Sequence, residues 1–200
     1  MRLWGTPRAA GAWGIAFVVL LLVSAAMISL PTALDSGVAI AAFYSAHAQL
    51  IVIQQIVGIA ALAAFVTFAL SLPPRRSLRI ALWAFVACEL ITNVVPLIIV
   101  AANLSPDGAH TLTLVEDVAD SALFLSVGFF VSAVTLSEPL WLRIASYVVA
   151  AACGIRAIAS PLGTTALDQV APLLFVAFVL VLSVKLLVGS RQAVAAAPTR

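Results

Sequence analysis

The sequence predicts an all-α fold: a polytopic transmembrane helix bundle of six spans, N-in/C-in, with no separate soluble domain. Three observations carry this. The 200 residues are 64% hydrophobic and only 9% charged, where a soluble domain carries about 25% charged residues. The mean hydropathy is +1.20. The apolar residues also gather into six runs near the ~20 residues that cross a bilayer core, without the alternation that marks barrel strands. Lipid must be the solvent, and helices then satisfy their own backbone groups.

The runs cover about 12–30, 48–72, 80–102, 113–136, 140–159 and 166–188. Between them lie turn formers: Pro31, Pro73-Pro74, Ser105-Pro106-Asp107-Gly108, Ser137-Glu138-Pro139 and Pro161-Leu162-Gly163. The first run follows Arg2 and Arg8, the order of a signal peptide. It is longer than an h-region of ~7–15 residues, which favours an uncleaved helix. In the connection before the second run, Asp35 or Ser36 can cap a helix beginning at Gly37. That helix would start early and project above the membrane. Leu78-Arg79-Ile80-Ala81 opens the third run and Leu142-Arg143-Ile144-Ala145 the fifth. Coincidence in an Ala/Leu/Ile-rich chain explains this echo, as would a parallel repeat of the transporter kind.

Orientation follows the placement of Lys and Arg. With the N-terminus inside, nine of the ten basic residues fall on the cytoplasmic side, and only Arg156 is left near the outer one. Trp4, Trp13, Trp83 and Trp141 then lie near the inner interface, where such rings prefer to sit. The expected location is a bacterial inner membrane, with the lipid bilayer as the first partner. Net charge is +2 and no basic cluster is interleaved with aromatics, so nucleic acid is not an expected partner.

The informative residues are the polar ones that lipid disfavours. A charge at mid-helix costs ~2.5–3.5 kcal/mol on insertion scales and therefore faces the bundle interior. In the fourth run Thr113, Glu116, Asp117 and Asp120 share one face by their i, i+3, i+4, i+7 spacing. Thr113 to Glu116 also reads as a capping box, and Asp117 would gain from the helix dipole. Asp120 lies too deep for either role. The third run carries Glu89, Thr92, Asn93 and Pro96; the proline frees the carbonyl of Thr92. The second offers His47, Gln54, Gln55 and Gly58, with interhelical hydrogen bonding or ligand contact as alternatives for the two glutamines. Arg156 in the fifth run would pair with Asp117 or Asp120, or else with Asp168, itself a candidate cap partner of Thr165.

Grouped by depth, Gln54, Gln55, Asn93, Glu116, Asp117, Asp120 and Arg156 fall in the outer half with Glu89 beneath them. An acidic polar pocket open to the outside, between the second to fifth helices, is the expected binding site. A small polar ligand, a cation or a proton would fit it. No cofactor is expected, since the chain has no P-loop, GxGxxG or paired-histidine haem pattern. No metal is expected either: His47, His110, Asp35 and Asp107 lack HxxH or HExxH spacing. Cys88 and Cys153 read as buried hydrophobes.

The stretch from Asp35-Ser36 through Ala42-Phe43-Tyr44-Ser45-Ala46-His47 into Ile53-Gln54-Gln55-Ile56-Val57-Gly58 resembles small six-helix integral membrane proteins of actinobacteria. Pro139-Leu140-Trp141-Leu142 is similar too. That family has no known function, so the resemblance implies a fold and no activity. Three functional classes follow from the residues. One is a transporter-like or ligand-binding bundle. The second is an accessory subunit whose polar residues lock helices together beside a membrane protein partner. The third is an intramembrane enzyme acting on lipid or quinone, which ranks last because no nucleophile or metal constellation is visible.

Overall fold

A computed structural model of the chain describes residues 7–164 and 167–195. It contains six α-helices: α1 (Pro7–Met27), α2 (Gly37–Ser71), α3 (Arg76–Ala102), α4 (Pro106–Val134), α5 (Leu140–Ala159) and α6 (Val170–Ala195). A short 3-10 turn, Ser160–Leu162, follows α5. All six helices are long and apolar enough to cross a membrane. The protein is a multi-pass integral membrane protein.

The helix starts follow local chemistry. Ser36 caps α2, its hydroxyl accepting from the Ala39 amide at 3.3 Å. The 35 residues of α2 span about 52 Å at 1.5 Å per residue, against a hydrocarbon core of ~30 Å. It is thus longer than the core is thick and begins at Gly37 as expected, and the helix breaks at His47 (φ −117°, ψ 16°). α4 departs from expectation. It begins at Pro106, capped by the Ser105 hydroxyl that accepts from the Gly108 amide at 3.3 Å. Thr113, Glu116 and Asp117 thus lie well inside the helix, and the capping box proposed for them does not form. Ser105 wins because it precedes a proline at the first helical position, where the missing N–H costs nothing. Thr165 lies outside the described residues, and so does the cap suggested for it.

Each helix packs on its neighbours in chain order, and α6 returns to close the ring against α1. Glycine permits the tightest approaches. A Cβ on Gly11 would meet the Ser183 carbonyl at 2.6 Å, and one on Gly14 would overlap the Ser183 hydroxyl. Small residues bring membrane helices together in this way because lipid supplies no hydrophobic drive between them. Two cores fill the ring. One centres on Phe65 of α2, whose ring lies 4.8 Å from Phe17, 4.4 Å from Phe85, 4.8 Å from Phe130 and 5.9 Å from Phe175. Five helices meet at this aromatic knot. The other joins Ile40, Tyr44 and Ile51 of α2 to Val95 and Ile99 of α3 and Ala109 of α4. Cys153 is buried and Cys88 half-buried, both free thiols. Outward-facing residues such as Ile80, Phe129, Val148 and Leu173 are apolar and exposed, a surface suited to lipid.

Candidate functional site

Between α1, α2, α3, α4 and α6 lies a cavity of about 500 Å³. Phe17, Phe85 and Phe175 belong both to its lining and to the knot around Phe65, so the aromatic core bounds the cavity on one side. Leu21, Leu123, Phe124, Val127 and Val176 extend the apolar wall. At the other end, Leu22, Ala25 and Ala26 of α1 and Gln169 and Leu173 beside and within α6 are lining residues that are also exposed. The mouth lies there, next to the ends of α1 and α6 rather than over the centre of the ring.

The polar end is built from α2, α3 and α4. Asn93 is buried, and its amide donates to the Glu89 carbonyl one turn earlier at 2.7 Å and to Glu89 Oε1 at 3.2 Å. The Thr92 hydroxyl donates to the same carbonyl at 3.0 Å. Spacing i, i+4 makes the Glu89–Asn93 contact. Gly58 on α2 makes room for it, since a Cβ there would overlap Asn93 Oδ1. Gln55 is only 6% exposed and lines the cavity. No hydrogen bond to a described residue holds its carboxamide, and Gln54 Oε1 beside it is buried without a partner, while buried side-chain amides are normally partnered.

Asp120 reaches the cavity from α4 and keeps 34% of its side chain accessible. Behind it Arg156 of α5 donates from Nη1 to Asp120 Oδ2 at 2.7 Å and lies 3.4 Å from Asp168 Oδ1 through Nε. The guanidinium also stacks 3.7 Å over the Phe124 ring. The pairing of Arg156 with Asp120 is as expected, and Asp168 joins as a second partner.

The other candidate residues serve the scaffold. Gln54 lines the cavity, but its Nε2 donates to the carbonyls of Ser24 at 3.0 Å and Ile28 at 2.7 Å. These are carbonyls at the end of α1, which a helix cannot satisfy by itself. The Ser24 hydroxyl returns a bond to the Gln54 carbonyl at 3.2 Å. Asp117 accepts from the Ala33 amide at 2.8 Å while the His110 ring bonds the Ala33 carbonyl at 3.1 Å. Together they pin the α1–α2 connection onto α4. Glu116 accepts from the Tyr44 hydroxyl at 3.4 Å. Neither Glu116, Asp117 nor Arg156 lines the cavity.

The site thus gathers Gln54, Gln55, Glu89, Asn93 and Asp120 as expected, yet its walls differ. α1 and α6 supply much of the lining, whereas α5 contributes Arg156 only through Asp120. The lining is also mainly apolar rather than polar throughout. The side chains from α1 and α6 carried no signal beyond hydrophobicity. Among the described residues no three His, Cys, Asp or Glu side chains could hold a metal ion together. No protein-family model, curated protein or solved structure matches this chain.

Proposed function

We propose that this integral membrane protein binds a small ligand with a polar head and an apolar body inside its ring of helices. It sits in a bacterial inner membrane with both ends in the cytoplasm, and the cavity mouth lies in the outer half. The observation that carries the reading is the Gln54–Gln55 pair on the cavity wall: Gln54 Oε1 is buried without a partner, and no hydrogen bond to a described residue holds the Gln55 carboxamide. Leaving such a group unmatched costs about 1–3 kcal/mol, and a ligand head would recover it. The cavity volume falls within the ~300–1,000 Å³ of small-molecule sites, and the apolar walls suit the rest of such a ligand. Glu116, Asp117 and the Gln54 amide nitrogen support helix locking instead, so the polar residues divide between two duties.

Native mass spectrometry of protein released from its own membranes tests this. The expected result is a one-to-one adduct on the wild type that is lost in Val176→Phe, which adds a ring to the cavity wall. A bare wild-type mass, or an adduct that Val176→Phe leaves unchanged, would overturn it.

A further inference from the structure

Resting on that reading, we infer that the ligand is an organic cation: an ammonium head on a single apolar chain or ring system. Two carboxyl groups, Asp120 and Asp168, meet one guanidinium, Arg156, and a third, Glu89, lines the cavity with Asp120 and is bonded by Asn93 instead. Among the described residues no lysine, arginine or histidine lines the cavity. Arg156 does not line the cavity and is held between Asp120, Asp168 and the Phe124 face. The accessible oxygens of Asp120 and the Glu89 carboxyl therefore face the cavity with one cation among three acids.

A cation in a membrane interior needs an opposite charge or a π-face to replace its water. This cavity offers both. Glu89 and Asp120 lie on adjoining helices, and the rings of Phe17, Phe85, Phe124 and Phe175 belong to the same lining. Gln55 adds a neutral acceptor through its carbonyl oxygen. An anionic head would meet the carboxyl groups directly and find no basic partner. The position of the mouth, among exposed apolar residues of α1 and α6, suits an amphiphile already dissolved in the bilayer. The volume suits one chain and not a two-chain phospholipid.

The test is calorimetric titration of the full chain in phosphatidylglycerol nanodiscs, with empty discs subtracted. The probes are decyltrimethylammonium, decanol and decanoate, which share chain length and differ in head charge. The expected result is saturable binding of the ammonium at least about tenfold tighter than the alcohol, with no saturable binding of decanoate. Glu89→Gln is expected to cut that preference to under about threefold, and Gln55→Leu to weaken the ammonium without restoring decanoate. Should Glu89→Gln fail to fold, Asp120→Asn, at the other acid in the lining, carries the same comparison. Equal binding of ammonium and alcohol, or preference for decanoate, overturns the cation while the ligand cavity stands. No saturable binding of any probe overturns the cation as well, and the mass-spectrometric adduct then decides the cavity separately. Repeating the titration with single-chain lysophosphatidylethanolamine in the discs separates two sources of the same chemistry. Weakened probe binding supports a lipid amine as the natural cation, and unchanged binding supports a free one.

Discussion

Asn93 can turn its amide onto Glu89 only because residue 58 has no side chain. The place a Cβ would take is filled by Asn93 Oδ1, and the Asn93 amide is already committed to the Glu89 carbonyl. Gly58→Leu should therefore push α2 from α3 and lower stability by about 1–3 kcal/mol, the usual cost of overpacking, read as an earlier unfolding midpoint in mixed micelles. The ion-pair cluster gives a second expectation. Asp120→Asn leaves Arg156 with Asp168, whereas Arg156→Leu leaves two carboxyl groups without their cation. Arg156→Leu should therefore destabilise more, by at least about 1 kcal/mol beyond Asp120→Asn in the same assay. The Asp120 link was legible in sequence because a deep acid and a deep base in a membrane chain have few alternatives. The unpartnered state of Gln55 was not. Gln54 and Gln55 are neighbours of equal chemistry that both line the cavity, and only their positions on the helix decide that the Gln54 amide also reaches the end of α1.

At the scale of elements, the six helices were legible because run length is measured against bilayer thickness and nothing else in the chain competes. Their ends were less so. Asp35 and Ser36 both announce α2 at Gly37, but Ser105-Pro106 read as a turn, and the spacing of Thr113 and Glu116 made a later start for α4 persuasive. Beyond the α4–α5 pair joined by Asp120 and Arg156, which helix neighbours which was not legible, since apolar residues surround each helix and mark no single face. The closure of α6 on α1 is the consequence that matters, because it brings α1 and α6 into the cavity wall. That closure depends on Gly11 and Gly14 of α1 against Ser183 of α6. Gly14→Val should pry this seam apart and cost about 1–3 kcal/mol, visible as faster proteolysis of α6 in detergent. Gly154 in α5 has nothing within 4 Å of an added Cβ. Gly154→Ala should leave packing intact and raise stability by up to about 1 kcal/mol through better helix propensity. The two substitutions have opposite signs, so the pair separates packing from propensity in one experiment.

For the whole molecule, the side on which the cavity opens follows from orientation, and orientation follows from charge. Ionised basic residues resist translocation, so loops rich in Lys and Arg stay in the cytoplasm. Arg75, Arg76 and Arg79 flank the α2–α3 turn, and the α4–α5 turn holds Glu138 in an ion pair with Lys185 of α6 and is followed by Arg143. The opposite ends of the helices carry the α1–α2 connection, Asn103 to Ser105 and the segment after α5, where Arg156 is already neutralised by two acids. The ends of α1 and α6 that form the mouth belong to this second set. Labelling single cysteines in intact cells tests the assignment, once Cys88 and Cys153 are replaced by alanine. A membrane-impermeant maleimide should modify Leu34→Cys and Gly163→Cys without lysis, and Pro74→Cys only after lysis. The reverse pattern would turn the protein over in the bilayer. The cavity and its chemistry would stand, but the mouth would then lie in the cytoplasmic leaflet, and any ligand would have to reach it from inside.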